Sequence, residues 1–355
     1  MTRRILWGAT VLVPIDVALA LLGVHGTVLF IVSALALVPL AFAIGEATDN
    51  VGEHTGPVVA GLLNASFGNA PELLISMFAV HEGLFTVVRA SLTGSVVSNL
   101  LLVLGTALVF GRTARISRRS AFANLGQVAI AAALFAVAVL LPRMLDPGRP
   151  QAGHGSGDQA GLTTYAIVIA VVLLVVYVVL TGLNIRRAVR INREQNQGAA
   201  DGAWSMTRGL VTLGLATVAT AVVSELLTGT IQTFADHTGL GEFFTAAIIV
   251  AIVGNAAEHG GAVVVAARGN VALATEIGLS SAAQVATFVI PAVVLLSLFL
   301  QPLPMAFRPV EFVGYGLAVL LPAVLLGRGQ ASRSRGLMLL IAYAVIVVVF
   351  FVAGR

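Results

Sequence analysis

Two long apolar stretches of this 355-residue chain carry the same short acidic motif. Gly68-Asn69-Ala70-Pro71-Glu72 and Gly254-Asn255-Ala256-Ala257-Glu258 place their glutamates 186 positions apart (258 − 72), roughly half the chain. An ionisable residue at bilayer depth costs on the order of 2.5–3.5 kcal/mol on insertion scales, so it is rarely kept without a use. Two such residues in matching contexts point to a duplicated membrane protein with a cation site between its halves.

Composition supports the membrane reading. The chain is 58% hydrophobic and 10% charged, whereas soluble domains carry about 25% charged residues. No cysteine is present, which excludes disulfides and thiolate metal ligands. All 20 basic residues are arginine. They cluster in short loops between apolar spans, so the net charge of +4 is no sign of nucleic-acid binding. Glycine-rich strings lack the strand–helix context of nucleotide loops. Coupling is therefore expected to be secondary, with no nucleotide and no cofactor. Arg3, Arg4 and Ala18-Leu19-Ala20 resemble a leader peptide, but Pro14 and Asp16 interrupt that run, and the first span is expected to be retained.

Apolar spans of about 20 residues suit a bilayer crossing, and the pattern predicts about eleven. They run near 5–23, 27–45, 56–80, 87–110, 120–141, 161–183, 207–228, 242–267, 272–299, 309–326 and 336–353. With the N-terminus cytoplasmic, five arginines fall outside (Arg89, Arg143, Arg149, Arg308 and Arg355) and the other fifteen of the 20 inside. That bias supports both the orientation and an odd span count. The expected fold is an all-α integral membrane protein with an N-terminal helix (1–25), a five-helix repeat (26–183), a cytoplasmic linker (184–205) and a second five-helix repeat (206–355). Five is odd, so the halves enter the membrane in opposite directions. The compact chain suggests a prokaryotic plasma membrane.

The repeat extends beyond the motif. Ser95 and Asn99 correspond to Ser280 and Gln284, each pair spaced i, i+4 on one helix face. Glu46 and Glu225 close the spans before the motifs, and His54-Thr55-Gly56 matches His237-Thr238-Gly239. Asn69 and Asn255 sit one turn before the glutamates. Pro71 lacks an N–H, which frees the carbonyl of Phe67 to coordinate a cation; Ala257 weakens that argument in the second copy. All these ligands are oxygens, as Ca²⁺ requires, and two carboxylates neutralise one divalent ion. Once the metal leaves, a doubly charged site is costly to occlude in low dielectric, so the pair should take up protons. This restriction describes an exchanger of calcium against protons.

The stretches G-L-L-N-A-S-F-G-N-A-P-E-L and V-G-N-A-A-E-H, with G-L-S-S-A-A-Q-V-A-T-F-V-I-P from Gly278 to Pro291, resemble the calcium/cation antiporter superfamily, specifically its Ca²⁺/H⁺ exchanger branch. The resemblance spans nearly the whole chain. It implies Glu72 and Glu258 as calcium and proton carriers, with Asn69, Asn255, Ser95, Asn99, Ser280 and Gln284 lining the site. Glu46 and Glu225 would lie near opposite entrances. Members of the branch often carry an acidic stretch between the halves, but 184–205 is basic. The amides Asn99 and Gln284 favour protons over sodium as counter-ion.

Other readings weigh against individual residues. Asn69 and Asn255 also suit interhelical glue, and Ser95 and Ser280 tight packing. His259 is either a packing residue or a proton relay beside Glu258. Asp16, Glu276 and Glu311 lack matched partners. The alternatives for the whole chain are a Na⁺/Ca²⁺ or monovalent cation/H⁺ exchanger, a passive channel, or an intramembrane metal-dependent hydrolase. The last needs a histidine-rich metal set, which the lone His259 does not supply.

Overall fold

The computed structural model describes residues 2–145, 164–182, 204–305 and 307–354. A peripheral helix, α1 (Arg4–Leu21), precedes the first half, which comprises α2 (Thr27–Phe67), α3 (Ala70–His81), α4 (Phe85–Phe110), α5 (Arg118–Leu145) and α6 (Thr164–Gly182). The second half comprises α7 (Met206–Thr238), α8 (Glu242–Gly254), α9 (Ala256–Ala267), α10 (Val271–Phe299), α11 (Pro309–Leu326) and α12 (Arg333–Gly354). The expected linker lies outside the described residues except for Trp204 and Ser205. The matched helices α4 and α10 form the core. In its most apolar stretch α4 is 83% buried, against 6% for α1.

Among the described residues nine helices are long and apolar enough to cross a bilayer, or ten if α8 and α9 count as one span bent by 55°. The expected eleventh span, 56–80, is not a continuous helix of crossing length. Its first part belongs to α2, and α3 has 12 residues. Yet α2 is not straight. A methyl group on Gly52 would meet the Cβ of Ala60 at 2.9 Å, although eight residues of straight helix rise about 12 Å. The run therefore doubles back between these positions, and its last turns already follow the return path. The corresponding turn in the second half is open. Gly239 adopts φ 69° and ends α7, and Gly241 adopts φ 74°, a region nearly closed to other residues. Gly56, in the matching tripeptide, stays helical.

Contacts between helix ends sort the molecule into two faces. On one, β1 (Ala114–Arg115) pairs antiparallel with β2 (Gln330–Ala331), and the Trp204 N–H donates to Asn50 Oδ1. This face carries the exposed Arg112, Arg115, Arg118, Arg119, Arg328 and Arg333. On the other, Thr27 meets His237 and Arg89 donates to the Pro304 carbonyl. The first half thus starts at the arginine-poor face and the second at the arginine-rich face, the inverted arrangement that the span parity predicts.

Candidate cation site

Both motifs break their helices at asparagine. Asn69 has φ −102° and ψ 18°, and Asn255 has φ −92° and ψ 17°, both in the sparsely populated bridge region. The two breaks are alike although Pro71 is replaced by Ala257, so the glycine–asparagine pair sets the break and the proline is not required. At Asn255 the side chain assists. Its Nδ2 donates to the Ala251 carbonyl at 2.8 Å, competing with the helical backbone donor. Each asparagine caps the following helix, so Glu72 and Glu258 both stand in a first helical turn. Amide N–H groups unpaired within the helix converge there and favour negative charge. Phe67 is the last residue of α2, which puts its carbonyl at the break.

The asparagines tie the halves together. Asn255 Nδ2 donates to Ser95 Oγ at 2.8 Å, and Asn99 Nδ2 donates to Asn255 Oδ1 at 2.8 Å and to Ser281 Oγ at 2.9 Å. Asn69 Nδ2 donates to Gln284 Oε1 at 3.0 Å. Each motif therefore bonds the core helix of the opposite half. The core helices are adapted at this level by π-helical turns, Ser98–Val103 in α4 and Val285–Val289 in α10, a feature that often marks functional sites.

Glu72 reaches the second motif across this junction. A Cβ on Gly254 would lie 3.5 Å from Glu72 Cγ and 3.7 Å from its Oε1, so the first carboxyl rests against the second motif. Glu72 is 5% exposed, and neither of its carboxylate oxygens has a hydrogen-bond partner among the described residues. Beside it lies a cavity of about 10 Å³ lined by Glu72, Ser91, Ser95 and Gly254, among others, close to the smallest space that admits one water. Glu258 is half-buried, and Gly260 beyond it and Asn64 and Ser66 before the first break are exposed. These positions lie toward the arginine-rich face. Toward the other face, Ser76, Ala79, Phe243 and Ala247 are buried. The closure is thus on the arginine-poor side.

The remaining expectations divide. Ser280 is not drawn into the network, because its hydroxyl donates to the Ile277 carbonyl of its own helix at 3.3 Å; its neighbour Ser281 takes that place. Ser91 and Ser76 were not among the expected ligands. Ser91 lies one turn before Ser95 on the same face, a spacing that could have found it. Ser76 lies one turn beyond Glu72, its buried hydroxyl unpartnered among the described residues. Glu46 accepts a hydrogen bond from Trp7 near the arginine-rich face, and Glu225 is an exposed residue of α7. His259 is half-buried beside Glu258, its backbone N–H bonded to the Asn255 carbonyl. Among the described residues no group of three or more histidines and acids is positioned to hold a metal ion, so any ion here must draw on amide, hydroxyl and carbonyl oxygens.

Comparison with known proteins identifies the family and the fold. The profile of the family described as Sodium/calcium exchanger protein matches residues 25–186 and 208–352. The chain is 36% identical over 346 residues to the Ca(2+)/H(+) antiporter ChaA of Bacillus subtilis, covering 96% of each protein. It is 34% identical over 363 residues to a Ca(2+)/H(+) antiporter of Synechocystis, covering 95% of this chain and 94% of that one. The solved structure of native YfkE superposes with a TM-score of 0.80 at 34% identity, covering 99% of both chains. An H+/Ca2+ exchanger CAX shares the fold, with a TM-score of 0.70 at 17% identity over 100% of this chain and 93% of that one.

Proposed function

The chain belongs to the sodium/calcium exchanger family, and on that premise we propose that it is a secondary antiporter exchanging Ca²⁺ for H⁺ by alternating access. The observation that carries the reading is the Glu72 carboxyl, buried at the junction of the halves with neither oxygen hydrogen-bonded among the described residues. An ionised carboxylate in such a place is strongly disfavoured unless a cation or a proton neutralises it. Glu258 belongs to the motif against which Glu72 rests, and two ionised carboxylates sharing one site repel, so a vacant, fully ionised pair is the least favourable occupancy. A divalent cation neutralises both carboxylates together, and two protons do the same. The halves can rearrange around either filling.

In this reading Glu72 and Glu258 hold the ion and Ser91 and Ser95 supply hydroxyl oxygens. The Phe67 carbonyl completes the shell at the first break. Asn69, Asn255, Asn99, Ser281 and Gln284 brace the two motifs against the core. All are oxygen donors of the kind Ca²⁺ accepts. The bias of arginines to one face supports a cytoplasmic position for that face and for the N-terminus, so this conformation would be open inward.

The test is transport in proteoliposomes. An outward-directed proton gradient should drive Ca²⁺ uptake, and replacing sodium with an inert cation should leave the flux unchanged. Calcium movement that needs sodium, or that ignores the proton gradient, would overturn the assignment.

A further inference from the structure

α1 stands outside both halves and has no counterpart among the described residues. It is also loosely seated. Within Leu12–Leu21 the buried residue is Asp16, and a gap of about 350 Å³ separates α1 from α2 and α7, lined in part by Trp7, Val13, Pro14, Ala43 and Ala216. In lipid, apolar side chains gain little by facing protein instead of acyl chains, so polar contacts matter more in holding such a helix. Contacts of this kind flank the gap. Ser33 Oγ donates to Asp16 Oδ1 at 2.8 Å, both residues fully buried. Trp7 Nε1 donates to Glu46 Oε2 at 2.9 Å.

The Trp7 end reaches the first motif. The Trp7 ring lies 5.8 Å from that of Trp204, over which the Arg208 guanidinium sits at 4.5 Å. Asn50 joins the group, accepting from the Trp204 N–H at 3.0 Å and donating to the Glu46 carbonyl at 2.7 Å. The same apolar cluster holds Ala43, Ala47 and Ala70, with Trp7 and Phe67 packed against it. Phe67 and Ala70 flank Gly68 and Asn69, the break in the first motif. Among the described residues no second helix of this kind packs beside the break at Asn255.

We propose that α1 is a strap that sets the balance between the two access states, with Trp7 a positioning residue for the first break and Asp16–Ser33 its anchor. Two halves related by pseudo-symmetry give the inward-open and outward-open states similar energies. An element that packs beside the first break and not beside the second favours whichever state suits that packing better. Trp7 and Glu46 lie at the face toward which the site now opens, so the strap favours that state. The inference rests on the alternating-access reading above.

The experiment uses the full chain reconstituted in one orientation, with apparent Ca²⁺ dissociation constants measured from each face. The ratio of the two constants tracks the equilibrium between access states. Trp7→Phe keeps a ring and removes the N–H. It should shift that ratio about fivefold, the worth of one hydrogen bond, with binding weaker from the arginine-rich face relative to the other. Ser33→Ala releases the other anchor and should move the ratio in the same direction. Independently, the chain has 2 tryptophans, so Trp204→Phe leaves Trp7 the sole tryptophan, read selectively by excitation beyond the tyrosine band. Its fluorescence should respond to Ca²⁺, and Glu46→Leu should abolish the response while Glu46→Gln, which keeps an acceptor, preserves it. A Trp7 emission indifferent to Ca²⁺, or a ratio unmoved by either release, overturns the strap. Absence of proton-driven transport in the parent protein would instead overturn the reading on which it rests.

Discussion

Replacing Glu72 by glutamine separates an ion ligand from a structural carboxyl. The substitution preserves shape and removes one charge. Because neither carboxylate oxygen has a hydrogen-bond partner among the described residues, no protein hydrogen bond is lost. Removing a buried, unpaired charge is favourable or neutral, so the thermal stability of the ion-free protein should stay level or rise. Ion binding should behave oppositely. A unit charge about 4 Å from a cation at an effective dielectric near 20 is worth about 4 kcal/mol per unit of cation charge, and even that single-charge value weakens binding about 10³-fold. The assay is calcium-dependent thermal stabilisation in detergent, read beside proton-driven uptake in proteoliposomes. At a calcium concentration of about 100 times the parent dissociation constant, the parent gains about 2.7 kcal/mol. The variant, weaker by about 10³, gains under about 0.1 kcal/mol by the same relation. A Glu72→Gln protein that loses stability yet keeps the full calcium-induced gain would show a carboxyl that serves only the fold.

Protons and calcium should compete with a defined sign. Metal binding requires both glutamates ionised, so acidification weakens it. At low pH the apparent dissociation constant should rise up to about hundredfold per pH unit for two displaced protons and about tenfold in Glu258→Gln; a slope unchanged in that variant refutes the shared site. Pro71→Ala should retain transport, because Asn255 breaks its helix with Ala257 beside it, and loss of uptake would make the proline necessary after all. Gly94→Val should fail to yield monodisperse protein on size exclusion, since any Cβ at Gly94 overlaps the Ala247 carbonyl and overpacking typically costs about 1–3 kcal/mol or more; normal elution would contradict the close α4–α8 approach.

The parts of this molecule that were legible in the sequence obey a local rule or a symmetry. The i, i+4 spacing of Ser95 and Asn99 puts both on one face, and both bond Asn255. Periodic repetition cannot report how two halves settle against each other. Ser280 and Ser281 are adjacent, and which one meets Asn99 depends on the rotation of α10 at the start of its π-helical turn. The doubling-back of α2 falls between the expected spans 27–45 and 56–80, although the segment is helical throughout. Residues 46–55 contain no proline and one glycine, Gly52, so the segment reads as a loop by polarity and as a helix by propensity, and the contact of Gly52 with Ala60 decides between them.

Proline accounts for only one of the two breaks. It is the strongest helix breaker in isolation, yet the break recurs at Asn255 without it, where a side-chain amide shares the Ala251 carbonyl with the backbone N–H. Duplication also has a blind side. Matching one half to the other weights residues that have mates and discounts those that lack them, which is why Asp16 and Trp7 carried no expectation beyond a crossing helix. In an exchanger built from near-equivalent halves, the symmetric residues can hold the ion, but they cannot by themselves make one access state differ from the other. That difference must come from elements without mates, and α1, spanning a gap between a buried carboxyl and an indole N–H bound to Glu46, is the one such helix among the described residues.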